Sequence, residues 1–61
     1  MMKWRVSARR DGMDEVTPFY TLEEAATFAE LIKNDVDVVA VERVEKYTNI
    51  RIVEYIDGEV Q

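Results

Sequence analysis

Sixty-one residues make one domain, with a core of marginal size. The chain has neither cysteine nor histidine, which excludes disulfides, thiolate metal sites and imidazole acid–base chemistry. Thirteen acids against eight bases give a formal charge of −5, and an acidic majority repels a nucleic-acid backbone.

The charge is unevenly spread. Lys3, Arg5, Arg9 and Arg10 stand in the first ten residues with no acid among them, whereas the rest of the chain sets thirteen acids against Lys33, Arg43, Lys46 and Arg51. An acidic surface attracts a basic partner; its plainer use is solubility. No segment approaches the ~20 apolar residues of a membrane span, and Met1 to Val6 lacks a leader pattern. The expectation is a cytoplasmic protein, host-cell cytoplasm if phage-encoded, with no membrane partner.

Residues 3 to 10 alternate, with Trp4, Val6 and Ala8 on one side and Lys3, Arg5, Ser7 and Arg9 on the other, the period of a half-buried strand. Asp11-Gly12 signals a turn. Residues 13 to 20 return as a second strand, which Pro18 confines to an edge or an end. Thr21-Leu22-Glu23-Glu24 is a capping box with both glutamates in the first turn. Leu22, Ala25, Ala26, Phe28, Ala29 and Ile32 gather on one helical face, with Glu23, Thr27, Glu30 and Asn34 opposite. Asn34 is expected to end the helix in a left-handed conformation. Val36 to Val44 and Ile50 to Ile56 read as strands around a Tyr47-Thr48-Asn49 turn. Asp57-Gly58 then breaks the chain before three residues that pair briefly or fray.

The fold expected is α+β: a single domain over residues 1–61 in ββαββ order, with a mainly antiparallel sheet and the helix packed on one face. Its core is expected to hold Trp4, Val6, Phe28, Ala29, Ile32, Val39, Val41 and Ile52. The last two strands carry apolar residues on both registers. Val38 and Ala40 oppose Val39 and Val41, and Ile50 and Ile52 oppose Val53 and Tyr55. Either the second face is an interface, with Val38, Ala40, Val53 and Tyr55 as self-association candidates, or a bulge near Glu42-Arg43 resets the phase, or the sheet curls over the helix.

No motif carries catalysis. The pairs Asp14-Glu15, Asp35 with Asp37, and Asp57 with Glu59 lie at turns or element ends, where acids are ordinarily solvated. Gly12 and Gly58 stand alone, and Ser7 has no histidine to activate it. The chain is therefore expected to be no enzyme and to need no cofactor or metal. Lys3, Arg5 and Arg9 form a basic stripe that suits single-stranded nucleic acid as an alternative. Glu42, Glu45 and Glu54 are placed to neutralise it across strands.

The run Phe19-Tyr20-Thr21-Leu22-Glu23-Glu24-Ala25, between a hairpin and a valine-rich strand, resembles a pattern common in small phage and prophage proteins of unassigned function, over about residues 3 to 46. That resemblance implies a protein that binds and redirects a host protein or blocks a bacterial defence system. The expected function is a non-enzymatic, phage-type acidic inhibitor of a host nucleic-acid-handling or defence protein. It is expected to act as a homodimer and to meet its partner through Asp14, Glu15, Glu23 and Glu30. The alternatives are a nucleic-acid module on the first strand and an oligomer that sequesters a small molecule between subunits.

Overall fold

The computed structural model describes residues 2–61. Two strands, β1 (Trp4–Arg10) and β2 (Met13–Phe19), precede the helix α1 (Leu22–Ile32). The strands β3 (Val38–Val44), β4 (Asn49–Ile56) and β5 (Glu59–Val60) follow it. They form one five-stranded sheet in the order β2-β1-β3-β4-β5, every neighbouring pair antiparallel. The α+β class stands. The order is ββαβββ, because the final residues pair with Tyr55 and Ile56 as a short fifth strand.

Both two-residue turns are built alike. Asp11 and Gly12 have φ of 51° and 80°, and Asp57 and Gly58 have φ of 53° and 82°. Positive φ at both central positions matches the twist of the flanking strands, and Asp-Gly reaches that conformation at small cost. Pro18 sits on edge strand β2, where a missing amide donor breaks no interior ladder.

Thr21 caps the helix in an extended conformation, its hydroxyl accepting from Glu24 N at 3.1 Å. The Glu24 carboxylate receives the Thr21 hydroxyl rather than the cap backbone. The other end differs from expectation. Helix α1 stops at Ile32, Lys33 is right-handed at φ −56°, and Asn34 has no positive φ. The Ile32 carbonyl accepts from Asp35 N at 2.8 Å, a tightened final turn that satisfies it without a left-handed residue.

The connection from α1 to β3 meets both Asp-Gly turns at one end of the sheet, and Asp37 ties them together. Its N–H donates to the Arg9 carbonyl at 2.9 Å, and its carbonyl accepts from Asp57 N at 2.9 Å. Its carboxylate accepts from Asp11 N at 3.2 Å.

The core lies between α1 and the middle of the sheet. Val6, Ala8, Ala25, Ala29, Val39 and Val41 are buried, with Trp4, Phe19, Phe28, Ile32, Val36, Val53 and Tyr55 packed around them. Valines are the largest side chains buried completely. Alanines at the helix contact let α1 approach β1 and β3 closely, so the aromatic residues stay at the margin. Trp4, Phe28 and Ile32 are accordingly half-buried. Ile52 departs from expectation: it is 49% exposed. The pairing explains why. Val41 faces Val53 but Glu42 faces Arg51, so the register skips Ile52 as an extra residue in β4. This bulge lies one position from Glu42-Arg43, where the sequence allowed for one.

Candidate functional site

The face of the sheet away from α1 carries the charge. Successive pairings put Arg5, Glu42 and Arg51 in one row across β1, β3 and β4. Arg5 Nε donates to Glu42 Oε1 at 2.7 Å, and Arg51 Nη2 donates to Glu42 Oε2 at 3.1 Å. Arg51 also reaches Glu54, three residues along its own strand. Glu42 is 6% exposed, the one buried charged residue among those described. Burial pushes its carboxyl up, but the hydrogen bonds from Arg5 and Arg51 outweigh burial and hold it below the usual range. The bulge is what brings Arg51 to this row. Unbroken alternation would set Ile52 against Glu42 and leave half of the carboxylate without a partner.

A second ion pair lies further along β1. Arg9 and Asp14 are cross-strand neighbours, and Arg9 Nε meets Asp14 Oδ1 at 2.9 Å. The guanidinium holds the Asp14 carboxyl low. Between the two rows lie Ser7 and Ala40, themselves cross-strand partners. Two such small side chains dent the sheet. The resulting hollow of about 450 Å³ is lined chiefly by Arg5, Ser7, Arg9, Val16, Val38 and Arg51.

Of the basic stripe, Arg5 and Arg9 are thus spent on Glu42 and Asp14, while Lys3 makes no ion pair among the described residues. Glu54 neutralises Arg51, and Glu45 pairs with Arg43 at 3.0 Å. Of the three acids expected to neutralise the stripe across strands, Glu42 does so; Glu45 and Glu54 pair instead with arginines near them in sequence, and Asp14 takes Arg9.

The proposed partner-binding acids do not share one surface. Asp14 belongs to the open sheet face. Glu15 is exposed on edge strand β2, opposite Ala8 and therefore on the helix side. Glu30 accepts from the Tyr55 hydroxyl and pairs with Lys33 at 2.9 Å, and both hydrogen bonds lower its pKa. Glu23 makes no side-chain hydrogen bond or ion pair among the described residues. It borders a shallow hollow of about 590 Å³ with Thr21, Glu24, Thr27, Phe28 and Leu31. Leu31 is 73% exposed there.

The self-association candidates divide as well. Val38 and Ala40 lie on the open face, Ala40 beneath its neighbours' side chains. Val53 and Tyr55 oppose Val41 and Val39 and pack at the margin of the core, so they share no face with the first two. The unbroken register from Val38–Ile56 to Val41–Val53 is the cause, because it sets Glu54 and Ile56, not Val53 and Tyr55, against Ala40 and Val38.

Sequence reasoning missed Glu42 as a hub, Ser7 and Ala40 as the floor of a hollow, and Asp37 as the tie between turns. An acid inside a valine-rich strand was the one available signal for the first. Among the described residues, no group of three or more carboxylates could hold a metal ion, and no helix is long and apolar enough to cross a membrane. Compared with known proteins, the chain matches no family model, no curated protein and no solved structure.

Proposed function

We propose that this protein is a non-enzymatic protein-binding module of the phage-inhibitor kind, acting in the host cytoplasm on a basic surface of a nucleic-acid-handling or defence protein. The observation that carries this reading is the outer flank of α1. Leu31 and Phe28 offer apolar contact around a hollow rimmed by Glu23 and Glu24, and no basic residue lies within the helix. An exposed aliphatic anchor supplies contact area, and surrounding acids steer a basic partner into place. Glu23 and Glu15 keep their place in the proposal because no cation within the described residues occupies them. Asp14 and Glu30 contribute less, being engaged at home. A homodimer belongs to the same reading.

Affinity capture from a bacterial lysate, run in parallel with the native chain and a Glu23→Lys/Leu31→Asp variant, tests it. A specific protein should be retained by the native chain and lost with the variant, and sedimentation equilibrium should give a mass above 7.1 kDa. Tight, salt-sensitive retention of single-stranded oligonucleotides, abolished by charge reversal at Arg5 and Arg9, would replace this reading with the nucleic-acid one.

A further inference from the structure

The dent over Ser7 and Ala40 has a chemistry of its own. Side chains two apart on a strand point the same way, about 6.6 Å apart. Ser7 therefore lies midway between Arg5 and Arg9 on one face of β1. Arg5 uses only Nε on Glu42, so neither of its terminal amines has a hydrogen-bond partner among the described residues. Arg9 uses Nε and Nη2 on Asp14, leaving Nη1. The Ser7 hydroxyl has no partner among the described residues. Arg51, by contrast, spends both terminal amines on Glu54 and Glu42.

The free groups lining the hollow from β1 are therefore guanidinium N–H donors and one hydroxyl. Both oxygens of Asp14 are already taken by Arg9. The lining holds Arg5, Arg9 and Arg51 against Asp14 and Glu54, with Glu42 buried beneath and shared between two arginines. The formal charges cancel there, so what the hollow offers, on a molecule of net charge −5, is the set of guanidinium N–H donors left unpaired on Arg5 and Arg9. Val16 and Val38 supply its apolar walls, and about 450 Å³ lies within the range of small-ligand pockets.

We propose that this hollow binds a small organic oxyanion, a carboxylate or phosphate monoester on a compact apolar body. The anion takes charge-assisted hydrogen bonds from Arg5 and Arg9 and one from the Ser7 hydroxyl, while its body rests against Val16 and Val38. This goes beyond the protein-binding reading and uses none of the helix-flank residues on which that reading stands.

Amide NMR of the full chain, titrated separately with phenyl phosphate, benzoate and benzylamine at low salt, tests the site. Either anion should give saturable shifts centred on Val16, Ser7, Val38 and Ala40, and benzylamine should give none. A preference of about tenfold for one anion identifies its class. Ser7→Val fills the dent, suits a strand and touches no arginine, so it should abolish the shifts. Arg9→Gln, on an exposed pair, should weaken binding about tenfold with the dispersed spectrum of the folded chain retained. The proposal is overturned if neither anion saturates up to about 10 mM, if benzylamine gives the same response, or if shifts persist undiminished in Ser7→Val.

Discussion

The two faces of the sheet are held by different forces. Under α1, Val6, Val39 and Val41 meet Ala25 and Ala29 with almost no exposed surface, and the stabilisation is burial of apolar area. On the far side, one buried carboxylate is shared by two arginines, and the surrounding side chains are partly wet. Val41 and Glu42 are adjacent in β3, yet one is locked by shape and the other by charge. A chain of this length cannot build two apolar layers. Its second face is therefore closed over Ala40 by long charged side chains, whose aliphatic stems cover surface while their heads pair.

The comparison breaks most sharply on the helix side. Ala25 is fully buried where α1 meets the sheet, so Ala25→Leu must push the helix outward. A loss of about 3 kcal/mol is expected, read as a lower urea midpoint. Phe28→Ala should cost less than a fully buried phenylalanine would, because Phe28 sits at the margin against Phe19, with ring centroids 5.3 Å apart. If Ala25→Leu leaves the midpoint unchanged, the close helix–sheet contact is not what holds the fold.

On the open face the expected loss is smaller and depends on pH. Glu42→Gln keeps the shape but removes the charge, at a cost of about 1 kcal/mol near neutrality, since Arg5 and Arg51 keep partial access to water. The carboxyl of Glu42 is held below its ordinary 4.5, so the folded state favours the ionised form. That stabilisation is present above the ordinary value and is lost as pH falls through the lower folded value. The native chain should therefore lose stability below about pH 4.5, and Glu42→Gln should flatten the part of the profile that belongs to this residue. Equal acid sensitivity in the two chains, followed by thermal unfolding, would remove the row from the account. Asp14 and Glu30, also lowered, act in the same direction from exposed positions.

The smallest effect belongs to the bulge. Ile52→Ser should change stability by no more than about 0.5 kcal/mol, because the register skips this residue and leaves it half exposed. A loss several times larger would return Ile52 to the core and undo the assignment of the bulge.

Several elements were legible from local chemistry. Alternation in residues 3 to 10, both Asp-Gly turns and the Thr21 cap each depend on a few neighbouring residues and formed where expected, although Glu24 closes the cap on the Thr21 hydroxyl rather than on its backbone. Neutralisation of Arg5 by Glu42 was legible in kind, because opposite charges on neighbouring strands attract. The pairing of Arg9 with Asp14 was not, although the turn fixes their register. The end of α1 was misread because Asn34 suits a left-handed cap but is not obliged to form one, and the Asp35 amide satisfied the carbonyl instead.

What the sequence determined by itself was the class of the fold, its edge strand, its hairpin turns, and the absence of thiol and imidazole chemistry. These follow from single residues and short-range periodicity. Tertiary structure decided which apolar register of β4 faces the helix, where Ile52 goes, and which acids are spent at home. Each of those depends on a pairing register between segments far apart in the chain, and one skipped residue inverts every side chain beyond it. The hollow over Ser7 and Ala40 belongs to the same kind of fact, since it exists only once β1 and β3 set two small residues side by side.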